Sequence, residues 1–237
     1  MRGRFVGAVV VLALAAAAAA GRAEALAAKK GAPAKRAKGK AAAPAPAPAL
    51  LLFEVAPTGN EARYRVREQL AGLDLPNDAV GATPEVSGAL FVYGDGRVVR
   101  DSSRFVVNLT SLKSDKDRRD NYLRRRTLLT DSFPSVQFVP TAFRDPSGKP
   151  LSAASRSLEL VGDLTIRGVT RPTTWQVVLS TVDSAQVSGS ATTAFTFADF
   201  GLTQPKVPVV LSVADTIKLE YDFKLVPKAA PKVADRR

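Results

Sequence analysis

The chain has 237 residues, 34 Lys and Arg against 22 Asp and Glu, a formal net charge of +12, and neither Cys nor His. Their absence excludes a disulfide framework, lipid attachment at a cysteine, the common Ser–His and Cys–His nucleophile pairs, and most zinc or iron sites. The charge does not mark a nucleic-acid-binding fold, which would concentrate basic groups on its folded face: residues 1–25 carry +2, 26–49 carry +6 and 227–237 carry +3, leaving only +1 for 50–226.

In chain order, the first expected element is a secretory signal over residues 1–25. Arg2 and Arg4 precede an apolar run from Phe5 to Ala20, and Ala23-Glu24-Ala25 supplies the small-x-small pattern of a cleavage site, so the mature chain would begin at Leu26. An uncleaved anchor is the competing reading, but the run is short and mostly alanine, below the ~20 apolar residues of a membrane span. A periplasmic or secreted location follows. Residues 26–49 are nearly all Ala, Lys, Pro and Gly. They cannot bury enough apolar area to offset ordering entropy, so they read as a cationic tether ending in a stiffer Ala-Pro spacer, and 227–237 as a similar basic tail. Such a tether could contact anionic polymers of the cell envelope, although solubility alone accounts for one.

Residues 50–226 are enough for one domain with its own core. Their periodicity is mainly two. The clearest run sets Ile217, Leu219, Tyr221, Phe223 and Leu225 against Lys218, Glu220, Asp222 and Lys224, the pattern of a half-buried strand. Tyr64 and Val66 alternate with Arg63, Arg65 and Arg67, and Phe105, Val107 and Leu109 with Arg104, Val106 and Asn108. Leu158, Leu160, Leu164 and Ile166 continue the theme, as do Trp175, Val177 and Leu179, then Phe195 and Phe197. Short strands also fit Leu51 to Val55, Val86 to Tyr93 and Val136 to Val139, with turns at Gly94-Asp95-Gly96 and Asp145-Pro146-Ser147-Gly148. Gly162 reads as a bend or close approach on a strand, and Gly168 to Pro172 as a hairpin loop. One charged helix is expected within Ser114 to Leu129, with Ser114 or Asp115 as N-cap.

One helix among eight to ten strands is an all-β plan. Open edges invite aggregation, so the sheet must close into a barrel or stack as a sandwich. A barrel of about eight strands is wide enough to be filled by side chains or to hold one slender ligand. Arg, Lys, Glu, Asp and Asn at the outward positions exclude a lipid-facing outer-membrane barrel.

Three segments carry a further resemblance. Ser111-Leu112-Lys113-Ser114-Asp115 with Arg119-Asp120-Asn121-Tyr122-Leu123-Arg124, then Phe133-Pro134-Ser135-Val136-Gln137-Phe138, then Gly162-Asp163-Leu164-Thr165-Ile166-Arg167-Gly168-Val169-Thr170-Arg171-Pro172 resemble the YceI-like family in order and spacing. With the aromatic strands near 195 and 221, the likeness covers most of residues 51–226. It implies an antiparallel lipocalin-like barrel, commonly periplasmic, whose apolar tunnel takes a polyisoprenoid chain, with no catalytic residues and no cofactor. Tyr64, Val66, Phe105, Val107, Phe138, Leu164 and Ile166 would line that tunnel from one half of the chain. Trp175, Val177, Phe195, Phe197, Leu219, Tyr221 and Phe223 would line it from the other.

The chain departs from the family at one informative place. Where many members read aromatic-x-Val-Arg-His, this chain has Tyr64-Arg65-Val66-Arg67-Glu68. Alternation puts Glu68 on the inward face, where a carboxylate needs an Arg partner or several hydrogen bonds. A structural ion pair is the expectation, with a ligand contact or acid–base role as alternatives. Arg119 and Asp120 would fix the helix against the barrel, or Arg119 and Arg124 would meet a ligand headgroup. Arg118, Arg124, Arg125 and Arg126 suit a solvated helix face, or the pairing of guanidinium forks with phosphate oxygens. No Asp or Glu pair stands out for glycosidase-type chemistry. The expected function is a non-catalytic carrier of a long apolar ligand. The alternative is an envelope protein with a solid barrel core whose function lies in its tether. Trp175 would belong to the tunnel wall in the first case and to a solid core in the second, its N–H directed to a polar partner in either.

Overall fold

The computed structural model describes residues 48–72, 74–148 and 155–229; the expected signal sequence, nearly all of the expected tether and most of the expected basic tail lie outside them. Eleven strands are present: Leu50–Val55 (β1), Glu61–Leu70 (β2), Asn77–Thr83 (β3), Val86–Tyr93 (β4), Arg104–Asn108 (β5), Lys113–Ser114 (β6), Ser135–Arg144 (β7), Ser157–Ile166 (β8), Val169–Val182 (β9), Val187–Thr196 (β10) and Val210–Lys228 (β11). All pair antiparallel. β11 is long enough to pair with β2 through residues 210–222 and with β1 through 225–228. β3 and β4 lie in the same way beside β2 and β1, and β6 and β5 beside β3 and β4. These six short strands therefore make three interrupted long ones, and with β7 to β11 they form an eight-stranded barrel closed by the β1–β11 pairing.

Alternation explains most of the wall. Val66, Leu164, Ile166, Trp175, Val177, Ile217 and Phe223 are buried on the inner face. The sequence reading lacks the two-residue β6 and also β3, Asn-Asp-Ala-Val-Gly-Ala-Thr, whose small residues give no apolar alternation. Its Gly81 lies under the Tyr64 ring, where a Cβ would meet Cε1 at 2.3 Å, and Gly162 likewise admits the Phe138 ring. Small residues here make room for aromatic rings inside the barrel.

Three local expectations are corrected. The helix is shorter than its charged stretch: Asp117–Tyr122 (α1) is α-helical, and Leu123–Thr127 continues with π-type bonding. Neither Ser114 nor Asp115 caps it, since Lys116 stands at the N-cap without a side-chain bond. The Ser114 hydroxyl and N–H instead donate to Asp120 Oδ1 at 2.7 and 2.9 Å, which ties α1 to β6. The hairpin between β8 and β9 is only Arg167-Gly168, both at positive φ (49° and 78°), as the tight turns that match strand twist require. Thr170, Arg171 and Pro172 are strand residues paired with β8. Phe197 lies beyond β10 in a 3-10 turn, Phe197–Phe200, closed by reciprocal bonds between Thr196 and Asp199.

The strand directions give the barrel two poles. At one stand the β2–β3 turn, α1, the Arg167-Gly168 turn and the Phe197 to Val209 connection. At the other, β1 begins and β11 ends. Outside the wall, Arg63 and Arg65 pair with Glu220, Arg63 also with Glu61 and Asp222, and Arg65 and Arg67 with Asp78. The Arg65 guanidinium, with help from Lys218 and Arg63, holds the Glu220 carboxyl down at about 2 against an ordinary 4.5. A folded-state value below the unfolded one stabilises the fold above the unfolded value and is lost as pH falls through the folded one. Urea midpoints should therefore drop between about pH 4.5 and 2, and Glu220→Gln should flatten that drop; an unchanged profile would show that the ladder contributes nothing.

Candidate ligand cavity

Inside the barrel is a cavity of about 1160 Å³ running from Tyr93, Phe143 and Val187 near one pole to Pro205, Val207 and Val210 at the other. All fourteen residues expected to face a tunnel stand on its wall: Tyr64, Val66, Phe105, Val107, Phe138, Leu164, Ile166, Trp175, Val177, Phe195, Phe197, Leu219, Tyr221 and Phe223. Arg119 is at its edge as well. Arg124 is not on the wall: its Nε donates to the Asp120 carbonyl at 3.3 Å, because one helical turn carries it back along the helix. The exposed residues of the lining, Asp115, Lys116, Asp117, Arg118, Pro208 and Val209, all belong to the pole of α1. The cavity opens there.

The wall is aromatic and aliphatic. Phe138 and Trp175 meet with ring centroids 5.7 Å apart and planes at 60°, and Tyr221 and Phe223 at 6.0 Å. Trp175 is 9% exposed. Contrary to expectation, its Nε1 is buried without a hydrogen-bond partner among the described residues; Leu160, its partner on β8, and the Phe138 ring against it offer no acceptor. Burial raises both wall phenols, Tyr64 to about 12 and Tyr221 further. The Tyr221 hydroxyl donates to Asn60 Oδ1 at 2.8 Å, while Asn60 Nδ2 reaches the Ala56 carbonyl, so the β1–β2 interruption closes on the phenol.

Near the mouth, Glu68 is 7% exposed and bonded to Arg119 Nη2 at 2.6 Å and to Asn77 Nδ2 at 3.3 Å. Arg119 also pairs with Asp115. Burial opposes the Arg119 charge, but Asp115 and Glu68 outweigh it and hold the guanidinium above its usual value. Glu68 is thus in the ion pair expected for it, and the pair fastens α1 to β2. Sequence reasoning missed the Leu202 to Val210 share of the wall, an aperiodic Pro-containing stretch, and Asn60, a lone polar residue in a turn. No group of three His, Cys, Asp or Glu side chains able to hold a metal occurs among the described residues.

An eight-stranded antiparallel barrel with one short helix and an elongated apolar cavity defines a lipocalin-like ligand-binding architecture. Residues 53–225 match the family model of the YceI-like domain, and the chain belongs to that family. It is 29% identical over 142 residues to a UPF0312 protein of Shewanella denitrificans, covering 56% of this chain and 69% of that one. Its barrel is similar to a polyisoprenoid binding domain from Saccharophagus degradans implicated in plant cell wall breakdown, with TM-score 0.55, 12% identity and coverage of 75% and 99%. It is also similar to BcnA of Burkholderia cenocepacia, with TM-score 0.51, 11% identity and coverage of 70% and 95%.

Proposed function

We propose that the protein is a non-catalytic carrier of the cell envelope that holds a polyisoprenoid or another long apolar molecule inside its barrel. The observation that carries this reading is the cavity: about 1160 Å³, walled mainly by apolar side chains, with most of its charged residues toward the mouth. Its size is that of ligand pockets, ~300 to 1,000 Å³ and slightly above. A long chain threaded into it gains about 0.8 kcal/mol per buried methylene before ordering costs. Membership of the YceI-like family and likeness to a polyisoprenoid binding domain support the ligand class. The cavity weighs against the alternative of a solid core with all function in the tether.

Trp175 is the only tryptophan and stands on the wall, so it reports on occupancy. Titrating the delipidated domain with a polyprenol should shift or quench its emission saturably. If a separate assay detects no long-chain apolar ligand at all, the carrier reading fails.

A further inference from the structure

Four large apolar side chains are strongly exposed among the described residues: Leu75, Val178, Val209 and Leu211, at 77, 50, 60 and 67%. Three of them share one pole. The Ala71 N–H bonds the Val209 carbonyl at 3.0 Å, and Val210 pairs with Leu70. The β2–β3 turn carrying Leu75 therefore lies beside the chain carrying Val209 and Leu211. Leu211 is the unpaired residue of a bulge between Val210 and Ser212, and such a bulge re-aims side chains at a barrel rim. Val209 and Pro208 belong to this lip and to the cavity wall at once. The apolar surface is thus continuous from outside the barrel to its interior.

Basic side chains stand around this lip. Lys116 and Arg118 line the mouth, Lys206 is exposed beside Pro205, and Arg125 and Arg126 are exposed further along the helix. The exposed acids of this pole are Asp74, Asp117, Asp131, Asp199 and Asp215; Asp115 is engaged by Arg119 and Lys116, Asp78 by Arg65 and Arg67, and Asp199 by Thr196. A second copy of the chain is a poor occupant: it would bring the same cations face to face, and a stable interface buries about 800 Å² per partner, far more than three side chains supply.

Resting on the carrier reading above, we propose that the α1 pole is a membrane-docking surface: Leu75, Val209 and Leu211 insert among lipids of an anionic bilayer while Lys116, Arg118 and Lys206 meet the headgroups. A long apolar ligand has no useful solubility in water. It must pass between bilayer and barrel without crossing solvent, and a mouth seated in the interface provides that path. A few inserted apolar groups with anionic-lipid attraction suffice for such reversible binding.

The chain has no cysteine, so one can be introduced cleanly at each site and labelled with an environment-sensitive dye. With vesicles containing phosphatidylglycerol, labels at Leu75→Cys and Leu211→Cys should move to an apolar environment, whereas one at Val178→Cys, toward the other pole, should not. With phosphatidylcholine alone the response should be weak. Val209→Asp with Leu211→Asp should lower vesicle partition by about tenfold or more, since burying one such side chain contributes a factor of that order. Because the Lys-rich ends join the barrel at the opposite pole, the full chain is used in every arm. If it sediments with vesicles while the lip labels stay in water, those ends do the binding and the proposal is overturned. It is overturned equally if the labels respond to protein concentration without vesicles, which would indicate a second copy. The polyprenol titration of Trp175 is independent: saturable binding with an inert lip sinks the docking surface alone, and a responsive lip without polyprenol binding sinks the carrier reading.

Discussion

Arg119→Ala should destabilise the barrel by ~3 to 5 kcal/mol, the loss typical of breaking a buried ion pair from one side. The side chains of Glu68 and Arg119 are 7% and 16% exposed. Without the guanidinium, the carboxylate keeps only the Asn77 amide at 3.3 Å, too little to offset its desolvation. Glu68→Ala should cost less, because Arg119 retains Asp115, which is open to solvent. The two substitutions should not add, since they share one interaction, and Glu68→Leu with Arg119→Met should lose less than Arg119→Ala by itself. Urea unfolding of the four proteins measures this. Additive losses would show that the pair is incidental and that each side chain acts through separate packing.

Trp175→Ala should cost a comparable ~3 to 5 kcal/mol, as a large buried truncation does, and should also weaken polyprenol binding because the Phe138 ring loses the partner that shapes the wall. Trp175→Phe separates packing from polarity. The indole N–H has no partner to lose, and an unsatisfied buried donor itself costs ~1 to 3 kcal/mol. The phenylalanine variant should therefore be close to wild type in stability despite its smaller ring. A phenylalanine variant as unstable as the alanine one would mean that the N–H does have a partner in solution. Unchanged ligand affinity in Trp175→Ala would remove Trp175 from the binding surface while leaving its place in the core.

Much of this was legible in the residue order. Period-two alternation in Ile217 to Leu225, in Tyr64 and Val66, and in Trp175 and Val177 is a local property, because successive side chains on a strand point to opposite faces whatever the partner strand is. It therefore anticipated the strands of the barrel wall and the inward Glu68. Where local pattern was silent or ambiguous, the reading went astray: β3 is too poor in apolar residues to alternate, and Phe197 continues the alternation of β10 although the chain has already turned. The helix begins at Asp117 and not at Ser114, whose hydroxyl and N–H are engaged by Asp120, a contact between residues of different elements that no capping rule anticipates.

Other features belong to the tertiary structure alone. Which Arg meets Glu68 depends on α1 crossing the barrel end, and it is Arg119 rather than Arg124 that reaches the mouth, Arg124 being turned back onto the Asp120 carbonyl. Whether the inward residues meet at the centre or leave a cavity depends on barrel radius and strand tilt, which closure sets and no single strand encodes. The exposed lip is of the same kind. Leu75 stands 134 positions before Val209 and 136 before Leu211, and they become one surface only because β2 and β11 pair in the register that brings Leu70 to Val210.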